Sequence, residues 1–136
     1  MTNDSNILAL DFGEARIGLA LASKEARLAH PIGVLPNDDS LMEKLNKLCQ
    51  KEGVSRIVVG LPRGLNGQET NQTVVSRTFG ANLANYLKLP ISWQDEAVTS
   101  AQAEAELKAK NKDYQKADID ALAATYILED FLRDEV

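Results

Sequence analysis

Cysteine and histidine are almost missing from this chain: Cys49 and His30 each stand alone. One cysteine cannot close an internal disulfide, and Cys49 sits in an amphipathic pattern as a core residue, which suits a reducing cytoplasm. One histidine with no cysteine or second histidine near it in sequence makes a poor metal site, so His30, just before Pro31, is read as structural. Aromatic residues are few: three Phe, three Tyr and one Trp give no stacking platform of the single-strand-binding kind. Phe79 and Trp93 are accordingly read as core. No apolar run nears the ~20 residues of a membrane helix, and the opening MTNDSN lacks the basic-then-apolar pattern of a secretory leader. A cytoplasmic protein with no membrane partner is expected. Positive charge is short as well, 15 Lys and Arg against 20 Asp and Glu, for a net charge of −5. That excludes a broad electrostatic grip on nucleic acid, which runs on Lys and Arg. It leaves room for a local basic patch and for a site built from carboxylates.

What is present suits one globular domain, 1–136, with 44% apolar and 26% charged residues. Ile7–Leu10 and Ile17–Ala22 are short, wholly apolar runs, the pattern of strands covered on both faces, and the few residues between them predict a hairpin turning at Gly13. His30–Leu35 makes a third strand. Asp39 and Ser40 open a helix, with Ser40 and Glu43 at capping-box spacing; Leu41, Leu45 and Leu48 form its buried stripe and Gly53 ends it. Arg56–Gly60 is a β-branched strand and Leu61–Gln68 a loop by its Pro and Gly content. A long helix follows with Val75, Phe79, Leu83 and Leu87 on one face, then a strand over Ile91–Asp95. Thr99 and Gln102 open an Ala- and Glu-rich helix to about Lys108, a lysine-bearing link covers Lys108–Lys116, and Asp118–Asp134 is the last helix. A three-strand meander followed by helix–strand–helix–strand–helix–helix is an α/β order around one central sheet.

Four acids fall at three element ends. Asp11 follows the first strand, Asp95 and Glu96 close the last, and Asp120 lies near the start of the final helix. At about 100° per residue Asp120 shares a face with Ala123, Ala124, Ile127 and Phe131, whereas Asp118 points about 160° away and is placed to cap the helix. Taken singly, Asp11 also reads as a turn residue, Asp120 as a cap and Asp95–Glu96 as a solvated strand end. Their coincidence points to a cation: clustered carboxylates repel, and oxygen-only ligands suit Mg²⁺ or Mn²⁺ better than Zn²⁺. Such a site supports phosphoryl transfer. The loop Gly60–Gly67 lacks the GK[ST] ending of a P-loop and is read as a rim to that site, with Asn66-Gly67 as a tight turn.

The stretches ALDFGEARIGLALA, IVVGLPRGLNGQE, the DE of WQDEAVTS and IDALAATYIL, in this order, resemble the RuvX/YqgF family of pre-16S rRNA nucleases and Holliday-junction-resolvase-like proteins, over about residues 6–133. The resemblance implies an RNase H-like fold, a five-stranded mixed sheet with a three-strand antiparallel meander, flanked by helices. It also implies a metal-dependent nuclease whose catalytic acids fall on Asp11, Glu96 and Asp120, with Asp95 beside them as a further metal ligand. Arg16 matches the family's basic residue before its IG pair and is expected to meet a substrate phosphate. Arg63 and Arg77 read equally as substrate-backbone contacts and as surface residues, and Lys116 is a further candidate contact. One departure stands out: where the family commonly has arginine after Asp-Glu, this chain has Ala97. Lys108, Lys110, Lys112 and Lys116 are read either as a modest basic patch or as a solvated linker.

The expected function is therefore a Mg²⁺- or Mn²⁺-dependent endonuclease on structured RNA, the 5′ end of an rRNA precursor before branched DNA. A Holliday-junction-resolvase-like DNA nuclease is one alternative. A non-catalytic module binding RNA, a ribosome-assembly factor or a transcription factor is another. An ATP-binding fold of the actin and sugar-kinase type also carries DxG in its first hairpin, but needs a second lobe that 136 residues do not supply. A monomer or weak dimer is expected; a junction resolvase should be dimeric, because it must cut two strands related by a two-fold axis, so a monomer favours the RNA reading.

Overall fold

The computed structural model describes residues 5–64, 66–96, 105–110 and 115–134. Five strands, β1 (Asn6–Phe12), β2 (Arg16–Ser23), β3 (His30–Pro36), β4 (Val54–Pro62) and β5 (Ile91–Glu96), form one mixed sheet in the order β3-β2-β1-β4-β5. The first three run antiparallel as a meander, and β4 and β5 add parallel to β1. Helices α1 (Leu41–Glu52) and α2 (Asn71–Leu87) cover one face. The other face is covered by α4 (Lys116–Asp134); α3 is the helical stretch at 105–109. The RNase H-like architecture expected from the resemblance, five strands with an antiparallel three-strand meander and two added parallel strands, is present.

The central strands β1 and β2 are apolar on both faces because each face has its own helical layer. Leu8, Leu10, Ile17, Leu19 and Ile57 pack with Leu41, Leu45, Phe79 and Leu83. Ile7, Ala9, Ala20, Ala22 and Val58 pack with Ala124, Ile127 and Leu128. Cys49 is buried in the first cluster, and burial pushes its thiol up to about 11, so it is an inert core residue.

Two local expectations are corrected. The Ser40–Glu43 capping box does not form: Ser40 is helical in backbone, and its amide and hydroxyl both donate to Asp38 Oδ1, at 2.9 and 2.6 Å. Of the expected α2 stripe, Phe79 and Leu83 are buried and Leu87 packs against them, but Val75 is 46% exposed, and Thr73, Ser76 and Gly80 complete the buried face instead. The cause is Trp93 of β5, which lies so close to Gly80 that a Cβ there would come within 2.2 Å of its ring. Only small residues admit that approach, so packing overrides the apolar pattern. A capping box does form between Thr70 and Thr73, and the Thr73 hydroxyl donates onward to the Pro62 carbonyl. Gly53 ends α1 at φ 62° and Gly67 takes φ 80° in a turn closed by its amide on the Gly64 carbonyl, both as expected. The Thr99–Gln102 cap, Ala97 and Lys112 lie outside the described residues.

Candidate active site

Strand alternation decides which side chains can meet. On β1, Ile7 and Ala9 face α4, so Asp11 does too; on β2, Ala20 and Ala22 face α4, and Gly18 and Arg16 follow by the same period of two. Asp11 is paired with Gly18 across the hairpin. Gly18 is where α4 comes down on the sheet: a Cβ there would lie 2.0 Å from the Asp120 carbonyl oxygen. The absence of a side chain at one position thus lets the first turn of α4 rest beside Asp11. Asp118 caps that turn, its Oδ2 accepting from the Gln115 amide at 2.9 Å. Asp120 is left to face the sheet, as its helical phase predicts.

Arg16 Nε donates to Asp120 Oδ2 at 2.8 Å, with the two side chains 31% and 19% exposed. No hydrogen bond or ion pair reaches Asp11 among the described residues. Its carboxyl is pushed up to about 7, first by burial and then by the negative charge of Asp120.

Glu96 lies on the same face of the sheet but does not join that pair. Gln94 is level with Gly60 on β4, Glu96 stands two residues farther on, and β5 is two strand spacings, about 10 Å, from β1. Its neighbours are Asp130, Arg133 and Asp134 of α4; Asp130 is ten residues, about 15 Å along the helix, from Asp120. Burial and the Asp130 carboxyl hold Glu96 far above the usual carboxylate range. Its Oε1 is buried and finds no donor, so contact with Asp130 becomes a hydrogen bond only if the two carboxyls share a proton. Asp95 alternates to the opposite face, where Arg63 holds it at 3.0 Å.

The expected four-carboxylate set therefore does not assemble: among the described residues no three His, Cys, Asp or Glu side chains are grouped to hold an ion. The pair Asp11–Asp120 nevertheless fits a hard cation. Mg²⁺ is commonly held by one or two carboxylates plus substrate phosphate oxygens, both donors here are oxygens, and Asp11 has no positive partner of its own.

The expected substrate contacts divide likewise. Arg16 is in the site. Arg63 bridges Asp95 and Glu69, and Arg77 bridges Glu69 at 3.1 Å while lying 5.9 Å over the Trp93 ring. Both therefore stiffen the α2 side of the sheet rather than stand ready for phosphate. Lys116 is exposed at the start of α4, one turn from Asp120, and Lys110 sits 3.8 Å from Glu106. Sequence reasoning missed Gly18 and Gly60, whose alternation with Ala20 and with Val58 was a readable signal. It also missed Asp130, which is about 80° off the phase of Asp120 and had none.

The family model RuvX, described as "Holliday junction resolvase", matches residues 5–134. A curated relative from Chloroflexus aurantiacus, named "Putative pre-16S rRNA nuclease", is 39% identical over 135 residues, covering 96% of this chain and 88% of its own. One from Sulfurihydrogenibium sp. with the same name is 38% identical, covering 94% and 90%. The solved structure of Thermus thermophilus RuvC in complex with a Holliday junction superposes with TM-score 0.58 at 13% identity, covering 97% of both chains. That likeness is one of fold.

Proposed function

The chain belongs to the RuvX family, and on that premise we propose that it is a metal-dependent endonuclease of structured nucleic acid, acting on the precursor of 16S rRNA in the cytoplasm. The observation that carries the reading is the meeting of Asp11 and Asp120 across Gly18, two acids from opposite ends of the chain with one buried and unneutralised. Asp11 and Asp120 would hold Mg²⁺ or Mn²⁺ through oxygen alone, and a bound ion would supply activation of water and charge compensation for the phosphodiester. In the metal-free protein Asp11 must shed its proton to take the ion, so metal affinity rises with pH through the neutral range. Arg16 faces the phosphate from the β2 side and Lys116 tracks the backbone beyond α4. No helix among the described residues is long and apolar enough to cross a membrane.

The test is cleavage of a labelled rRNA precursor fragment and of a four-way DNA junction, with Mn²⁺ or with chelator, by the wild type and Asp11→Asn. Metal-dependent cutting of the RNA that is lost in Asp11→Asn supports the reading. Cutting of the junction alone transfers the activity to DNA, and binding without cutting makes the protein an RNA-binding module.

A further inference from the structure

Arg16 occupies the place where the cation would act. Its Nε takes Asp120 Oδ2 at 2.8 Å from a position on the same face of the sheet as Asp11, two residues along β2 from the Gly18 that Asp11 faces. The pair is more than half withdrawn from solvent on both sides, so it is not an ordinary surface bridge. With both carboxyls ionised, they and one guanidinium leave a single net negative charge. A divalent ion turns that into a single net positive charge, which one phosphodiester neutralises. Without the guanidinium, the same two carboxylates and ion are already neutral.

From this geometry and charge balance we infer that Arg16 is a place-holder that makes cation binding depend on the substrate phosphate. This inference rests on the metal-site reading above and goes beyond it. In the free protein Arg16 neutralises Asp120 and opposes entry of the ion. With a phosphodiester present, the guanidinium exchanges its carboxylate partner for phosphate oxygens, where its planar fork is equally at home. The ion and the phosphate then favour each other reciprocally, as linkage requires. The ordinary structural reading of Arg16, a salt bridge that braces α4, predicts the opposite sign: its loss should loosen Asp120 and weaken the ion.

Titration of Mn²⁺ into the intact protein, followed by calorimetry and by the electron-spin resonance of free Mn²⁺, decides the matter, alone and with a cleavage-resistant phosphorothioate oligonucleotide. Wild type should bind Mn²⁺ at least fivefold more tightly with the oligonucleotide than without it. Arg16→Gln should bind Mn²⁺ alone more tightly than wild type by a similar factor and lose most of the oligonucleotide effect. Arg16→Lys, which keeps the charge, should retain it. Equal or weaker Mn²⁺ binding by a folded Arg16→Gln, with the oligonucleotide effect intact, overturns the inference. Asp11→Asn separates the two failures. If it abolishes Mn²⁺ binding while Arg16→Gln leaves affinity unchanged, the site stands and the place-holder falls; if it leaves binding unchanged, the site falls and takes the place-holder with it.

Discussion

On the α1–α2 side the strands present Leu8, Leu10, Ile17, Leu19 and Val59 to Leu45, Phe79 and Leu83; on the α4 side they present Ala9, Gly18, Ala20, Ala22 and Gly60 to Ala123, Ala124 and Ile127. Large side chains hold the first helices off at the distance a thick apolar core requires, and burial there dominates stability. Small ones let α4 come down until the Asp120 backbone meets Gly18 and Ile127 meets Gly60. The thin side gives up apolar area and gains the closeness that puts two acids together. The two faces of one sheet thus differ, with the bulkier core under α1 and α2 and the paired acids under α4, beside a smaller cluster of Ile7, Val58, Ile127 and Leu128.

The strongest way to break that comparison is a variant whose stability and activity move in opposite directions. Asp11→Asn should abolish metal-dependent cleavage while making the metal-free fold more stable at pH 8. The Asp11 carboxyl titrates at about 7 in the fold against 3.8 as an ordinary carboxyl, so its contribution to stability is fully present below about pH 4 and is lost as pH rises through 7. The penalty removed at pH 8 is on the order of 4 kcal/mol. Urea unfolding in chelator across pH 4–8 should show the two proteins converging at the acid end; a variant less stable than wild type at pH 8 contradicts the burial argument.

Leu45→Ala is the mirror case. Deleting a fully buried side chain on the thick side should cost about 2–5 kcal/mol, read by denaturant unfolding, while cleavage per folded molecule at low temperature stays near wild type. Gly18→Ala sharpens the contrast on the thin side. Its Cβ would collide with the Asp120 carbonyl, so α4 must shift; the expected cost is about 1–3 kcal/mol, with a loss of cleavage out of proportion to it. A Gly18→Ala protein that cuts normally would show that the close approach is not needed. Thr70→Ala, which removes the cap of α2 on the face of the sheet opposite Asp11, should lower stability by about 1 kcal/mol and leave cleavage unchanged in the same assay.

Much of this was legible in the residues. The unbroken apolar runs of β1 and β2 announced strands with helices on both sides, and the phase of Asp120 against Ala123, Ala124 and Ile127 announced an acid aimed inward. The resemblance to RuvX/YqgF named the fold and its first and last acids. Val75 and Ser40 misled for different reasons. Val75 has the right period for a buried stripe, but Trp93 sets the rotation of α2, and no local pattern in α2 encodes a side chain from a later strand. Ser40 has the right spacing for a cap, but Asp38 is nearer and takes its amide first. Asp95 and Glu96 are adjacent in sequence and were grouped for that reason; the pleat sends them to opposite faces, one to Arg63 and the other to Asp130.

By itself, then, the chain's order of apolar runs, caps and glycines determined the elements, the α/β arrangement and the inward set of Asp11 and Asp120, because periodicity and helix capping are properties of neighbours along the chain. Tertiary structure alone decided which acids meet, that Arg16 neutralises Asp120, that Glu96 sits beside Asp130, and that Arg63 and Arg77 are tied to Glu69. Those pairings join residues up to about a hundred positions apart, and they follow from strand register, helix crossing and the close approach at Gly18.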